Sequence, residues 1–269
     1  MTRGETVYLC RYEAAERGLR VSHPSDRGVV VIELARPERR NALNAATSAE
    51  LARQIAEVGS SGHARALVIT GSGTAFCSGD DLQEIGTAGA EDFRRNIEGL
   101  QQITAAVAES PVPVVAAING PAFGAGLELT LACDFRLAGR SATFCLPEMQ
   151  WGLTITNGAS VFLPMLIGPD RTRQMIFDGT VFTSAWAKSA GLVSDVVEDN
   201  ELIDRALDLA ARLAALPSAA VAVTRKLLGD ATDLQTVLQR ETEVACAMWA
   251  TEFSQQSLKG YLARHKGRK

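Results

Sequence analysis

The chain has 269 residues, 46% hydrophobic and 22% charged, with 23 glycines and a net charge of -4. That is the composition of an ordinary globular protein with room for one sizeable core, and the negative balance argues against a nucleic-acid partner. Lys and Arg outnumber acids only in the tail Lys259 to Lys269, too short for a duplex-binding surface. No apolar run approaches the roughly 20 residues that a membrane helix needs. The first twenty residues contain Glu5, Glu13 and Glu16 and no apolar h-region, so they read as neither signal nor transit peptide. Five cysteines, at 10, 77, 133, 145 and 246, are scattered with no CxxC spacing. They read as reduced thiols in the cytoplasm, not as a zinc site or a disulfide framework.

In chain order, residues 1–20 form a weakly patterned N-terminal extension, and the run GVVVIEL (Gly28 to Leu34) reads as the first strand. A helical pattern follows from Thr47 to Val58, then the strand ALVITG (Ala66 to Gly71) and the loop SGTAFCSGDDL. Next come a helix over Glu91 to Ala108, the strand PVVAAI, the loop NGPAFGAG, a helix from Gly124 to Cys133 and the strand DFRLAG. Near-continuous apolar strands alternating with helices predict crossover units covered on both faces, an α/β core. From about Gly168 helices dominate, interrupted by the strand-like LVSDVV, so the expected division is a core over 21–198 and a helical C-terminal region over 199–269.

No GxSxG or GxxxxGK[ST] is present, and His23, His63 and His265 sit in polar or loop-like contexts, so triad hydrolysis and P-loop phosphoryl transfer lack their parts. Two loops at strand ends, AFCSGDDL and NGPAFGAG, stand directly before helices. Helix starts leave backbone N–H groups unpaired, and small residues let a ligand oxygen approach them, so two such loops side by side suit an oxyanion hole. Glu128, four residues after Gly124, falls in an otherwise apolar first helical turn. A dipole complement would explain the charge; so would a paired or functional carboxylate, because burial of an ionisable group is otherwise costly. Glu148, in ATFCLPEMQWG, follows a strand-like segment and a proline, either as a loop acid or as a second acid/base group.

Four ordered motifs then resemble the crotonase superfamily, the enoyl-CoA hydratase and isomerase family. They are RPERRNALN (Arg36 to Asn44), AFCSGDDL (Ala75 to Leu82), INGPAFGAGLELTLACD (Ile118 to Asp134) and FCLPEMQWGL (Phe144 to Leu153), and the resemblance runs from about Gly28 to the C-terminus. It implies a core of ββα units wound as a superhelix, followed by a helical trimerisation region, as a homotrimer or homohexamer. By position, the backbone N–H groups of Asp80 and Ala125 become the oxyanion hole for an acyl-CoA thioester carbonyl, and Glu128 and Glu148 match the two hydratase glutamates. The resemblance places CoA along Arg40, Ala42, Ser78, Asp81 and Leu82, with Arg264 or Lys266 near its phosphates. No metal or redox cofactor is required, since CoA arrives as part of the substrate.

The chain departs from the family pattern at three places. Asp80 stands where a small or apolar residue is usual, GLTITNGA (Gly152 to Ala159) replaces the usual G-x-x-P-G-x-G-G, and Ala125 replaces a common glycine. Retention of both glutamates favours a 2-enoyl-CoA hydratase. The competing expectations are a Δ3,Δ2-enoyl-CoA isomerase working through Glu148 alone, another acyl-CoA enolate enzyme such as a decarboxylase or C–C lyase, and, in a different class, a non-catalytic acyl-CoA-binding or scaffold protein.

Overall fold

The computed structural model describes residues 17–23, 28–229 and 233–265. Strand β1 (Leu19–Ser22) pairs antiparallel with β2 (Val29–Leu34), and Pro37–Arg39 form a short 3-10 turn leading to helix α1 (Ala45–Ser60). Strand β3 (Ala66–Gly71), short helix α2 (Leu82–Ile85), helix α3 (Ala90–Glu109) and strand β4 (Val114–Ile118) follow. After them come β5 (Ala122–Phe123), α4 (Ala125–Leu131), β6 (Phe135–Gly139), β7 (Thr143–Cys145) and a 3-10 turn over Glu148–Trp151. Helices α5 (Ala159–Ile167) and α6 (Pro169–Asp178), strand β8 (Phe182–Thr183), helix α7 (Ser184–Ala190) and strand β9 (Asp195–Val197) complete this half. The rest is helical: α8 (Leu202–Ala214), α9 (Ser218–Gly229), α10 (Leu234–Trp249) and α11 (Glu252–His265).

The main sheet has the order β1-β2-β3-β4-β6-β9, parallel from β2 onward, with Ile32 opposite Ile69 and Ile69 opposite Ala116. Successive side chains of a strand point to opposite faces. Accordingly Val30, Ile32, Leu67, Ile69, Val114 and Ala116 pack under α1 and α3, whereas Val29, Val31, Ala66, Val68, Val115 and Ala117 pack under α8. Both faces are therefore dry, which is why these strands read as unbroken apolar runs instead of alternating ones. A second, three-stranded sheet, β5-β7-β8, stands at the carboxyl ends of β3 and β4, with Ala122 opposite Phe144. It was not legible as a sheet because two of its strands are two residues long.

Two of the expected boundaries move. Leu19 and Arg20, assigned to the N-terminal extension, already belong to β1; the remainder of that extension lies outside the described residues. The division at 198/199 cuts through a packed unit, because Leu202, Ala206, Leu207, Ala210, Ala211 and Ala214 of α8 supply the second half of the core. The segment read as a short basic tail is helix α11 up to His265, and Lys266 lies outside the described residues. Tyr261 of α11 meets Trp151 edge-on with centroids 5.2 Å apart, and Ser254 Oγ donates to the Gly152 carbonyl at 2.7 Å. The C-terminal helix thus packs against the turn that carries Glu148. Since Leu207 is 1% exposed in the α8 core, Leu207→Ala is expected to cost about 2–5 kcal/mol by denaturant unfolding, whereas a helix merely appended to the core would lose far less.

Candidate active site

The motif RPERRNALN folds as a tight turn that welds three segments. Arg40 and Asn41 both adopt positive φ, 50° and 56°, and the buried Asn41 amide donates to the carbonyls of Ser72 and Ala75 while its oxygen accepts from Arg36 N–H. Arg36 donates to the Ala42 carbonyl at 2.7 Å and to Asp81 at 3.2 Å, and Asp81 also caps α2 by accepting from Gln83 N–H. Asn44 caps α1. Leu43 N–H donates to the Gly79 carbonyl and Leu43 C=O accepts from Asp81 N–H, a parallel bridge. In such a bridge the middle residue, Asp80, turns its own N–H to the opposite side.

That opposite side is the start of α4. Phe123 N–H donates to the Cys77 carbonyl at 3.0 Å, so the 75–82 loop and the 121–124 loop run side by side. Gly79, with φ 92°, lies so close that a Cβ there would stand 2.8 Å from the Phe123 carbonyl and 3.4 Å from Ala125 N. Ala125 is the first residue of α4, where N–H groups have no intrahelical partner. The N–H groups of Asp80 and Ala125 therefore belong to adjacent turns, an arrangement suited to holding one oxygen anion. The other end of α4 is fixed by the buried Arg136, which donates to the Thr130 and Cys133 carbonyls.

Glu128 is 1% exposed. Its Oε1 accepts from Thr156 N–H at 2.7 Å, and its Oε2 accepts from Thr156 Oγ1 at 3.0 Å and Asn157 Nδ2 at 2.7 Å. Burial drives its pKa well above the usual carboxylate range, the nearby Glu148 charge adds to this, and the Thr156 and Asn157 donors oppose it. Glu148 opens the 3-10 turn and lies against Gly124, where a Cβ would meet its Oε1 at 2.8 Å. Its Oε2 is buried without a hydrogen-bond partner among the described residues. Burial, with the Asp80 charge adding, pushes Glu148 up to about 8. Two neighbouring buried carboxylates titrate as a pair, the charge of one disfavouring ionisation of the other. Three donors favour the ionised form of Glu128, whereas Glu148 Oε2 has no partner among the described residues to favour its charge.

Asp80 is the third carboxyl group of the cluster. Asn96 of α3 donates to it at 3.1 Å, and burial, with Asp81 and Glu84 adding, lifts it to about 6. Asp80 also lines a groove of about 350 Å³ together with Arg40, Ala42, Ser78, Asp81, Leu82 and Tyr261. The five residues expected to lie along CoA are thus brought to one groove, and Asp80 joins that groove to the carboxylate pair behind it. Arg264 follows Tyr261 by three residues on α11 and is exposed. The carboxylate of Asp81 is engaged by Arg36 and the α2 cap, so it shapes the groove wall more than it offers a free acceptor.

Thr156, Asn157, Asn96 and Glu241 were not singled out from sequence. Glu241 did carry a signal: it interrupts the buried stripe of α10 formed with Leu238, Thr242, Ala245 and Trp249, where the helical period calls for an apolar residue. Among the described residues no cluster of three or more His, Cys, Asp or Glu side chains is arranged to hold a metal ion.

A family model for enoyl-CoA hydratase/isomerase matches residues 25–268. The chain belongs to the enoyl-CoA hydratase/isomerase family. It is 38% identical to the probable enoyl-CoA hydratase echA6 of Mycobacterium tuberculosis over 83% of this chain and 88% of that protein. It is 30% identical to the crotonyl-CoA hydratase of Syntrophomonas wolfei over 88% and 93%. The structure of the enoyl-CoA hydratase from Bacillus halodurans matches with a TM-score of 0.85 and 28% identity, covering 90% of this chain and 99% of that one. The expected α/β crotonase fold with a helical C-terminal region is thus the observed one.

Within this family fold, Gly124 (φ 51°, ψ -130°) occupies a conformation that L side chains rarely adopt. Gly124→Ala is expected to cost about 1–3 kcal/mol in urea unfolding, and a crystal structure of the variant should show Glu148 Oε1 displaced from the α4 start.

Proposed function

We propose that this enzyme hydrates 2-enoyl-CoA thioesters. The observation that carries the proposal is the unequal pair of carboxyl groups beside the α4 start: Glu128 held by three donors, and Glu148 with an unpartnered oxygen and a pKa near 8. Environments that push two carboxyl groups into different protonation states separate a base from an acid. Glu128, as the carboxylate, takes a proton from water as the oxygen attacks the β-carbon; Glu148, as the acid, delivers a proton to the α-carbon.

Charge that develops on the thioester oxygen would be met by the Asp80 and Ala125 N–H groups. Such preorganised donors act where charge forms in the transition state, and removing one typically costs about 10²–10³ in rate. The groove lined by Arg40, Ala42, Ser78, Asp81 and Leu82 is read as the path of the CoA moiety, which enters as part of the substrate. The proposed chemistry asks for no metal or redox group. The hydratase names of the relatives at 30–38% identity support the same assignment.

The chain is also proposed to be a subunit of a homotrimer or homohexamer. Val223, Leu227 and Leu228 of α9 are 59%, 68% and 75% exposed, an apolar face for another subunit to cover. No single helix among the described residues is long and apolar enough to cross a membrane.

A specific observation favours a second reading. Three donors already occupy Glu128, so Glu148 alone is free to shuttle a proton, as a Δ3,Δ2-enoyl-CoA isomerase requires.

Two measurements check the proposal. Purified protein mixed with crotonyl-CoA and longer 2-enoyl-CoAs should bleach the conjugated thioester absorbance; the isomerase reading instead predicts no bleaching, and a rise in that absorbance from 3-enoyl-CoAs. The kcat/KM profile for hydration should be bell-shaped. Glu148 must be protonated, so activity falls as pH rises through about 8; Glu128 must be ionised, so activity also falls on the acid side, at a pH above the usual carboxylate range.

A further inference from the structure

Thr156 and Asn157 form the turn that supplies all three donors to Glu128. Two helices, α10 and α3, brace it. Glu241 of α10 is buried and accepts from Gly158 N–H at 2.8 Å, Ser160 N–H at 3.1 Å and Ser160 Oγ at 2.5 Å, so it closes the first turn of α5 from outside. Thr104 of α3 donates to the Asn157 carbonyl at 3.3 Å. Asn157 itself holds φ 56°, a left-handed conformation that aims its amide at Glu128. The turn is thus braced on one side by α10 and α3 and presents three donors on the other, and both oxygens of Glu128 are used.

We propose that Thr156 and Asn157 are positioning residues that keep the negative charge on Glu128 and so decide which carboxyl group of the pair is the base. The proposal rests on the reading of Glu128 as a reacting carboxylate, and it names the group that sets its protonation. The charged groups acting on Glu128 are Glu148, from the 3-10 turn, and Glu241, from α10; both disfavour its ionisation, as does burial. Against those three effects stand the backbone N–H and hydroxyl of Thr156 and the amide of Asn157. Hydrogen bonds to a charged group are the stronger kind, so removing one side-chain donor leaves the carboxylate undersupplied, and protonation relieves it. Both carboxyl groups would then be protonated over a wider pH range, leaving the pair without a base.

The test reads the protonation of Glu128 directly and needs no turnover. In protein labelled with 13C-glutamate, infrared difference spectra across pH follow the carboxyl stretch, and a Glu128→Gln sample identifies the Glu128 band. Asn157→Gly removes the amide while glycine accepts the left-handed backbone without strain, and the Glu128 midpoint should rise by about one pH unit or more. Thr156→Val, which keeps the backbone donor and deletes the hydroxyl, should raise it as well, and Thr156→Ser should restore it. If Asn157→Gly does not fold, the Thr156 pair supplies the same reading. A Glu128 midpoint unmoved in Thr156→Val or Asn157→Gly overturns the proposal, as does a rise that Thr156→Ser fails to reverse. Failure of hydration is a separate result: protein that bleaches no enoyl-CoA but shows the shifted midpoints loses the proposed reaction and keeps the clamp. Where hydration does occur, the acid limb of kcat/KM should move upward with the spectroscopic midpoint.

Discussion

An ionisable side chain buried in an apolar helix start is the constraint around which the rest of this structure is arranged. A carboxylate removed from water without partners is driven to neutralise itself, at a cost that can reach several kcal/mol. Glu128 is 1% exposed, and α4 is buried along its whole length, so the charge can persist only where the fold supplies donors. It does so from a single turn, Thr156 and Asn157, and that turn is held in turn by Glu241 and Thr104. Arg136 secures the far end of α4.

The second consequence is electrostatic. Asp80 lies close enough to Glu148 for its charge to raise the Glu148 pKa, and Glu148 Oε2 has no hydrogen-bond partner among the described residues. Asp80 thus has two distinct parts in the proposed chemistry: its N–H would belong to the anion-holding pair, while its carboxylate, tethered to Asn96, raises the pKa of Glu148. A small apolar residue at that position would supply the first and not the second.

Much of this was legible in the sequence, for reasons that differ by element. The strands β2, β3 and β4 were readable because burial on both faces makes them unbroken apolar runs, and α1 and α3 because their apolar stripes face the sheet. Glu128 stood out because it contradicts its surroundings. What escaped was whatever depends on contacts far apart in the chain. The second sheet rests on pairings between two- and three-residue strands, and α8 had the pattern of any amphipathic helix, with no sign that its partner was the opposite face of the sheet. Thr156 and Asn157 are polar residues of a kind found in any turn, and only their position 28 and 29 residues from Glu128 in sequence, yet within hydrogen-bond reach in space, gives them a role.

In the proposed reaction two carboxyl groups divide the work, with Glu128 as the base and Glu148 as the acid. Turnover of a 2-enoyl-CoA by Glu128→Gln and Glu148→Gln proteins, compared at a pH between the two limbs, tests it most directly. Each substitution is expected to lower kcat by about 10²–10⁴-fold, the usual worth of a positioned acid or base. Near-normal hydration by Glu128→Gln, alongside an inactive Glu148→Gln, would contradict it and leave Glu148 to work alone.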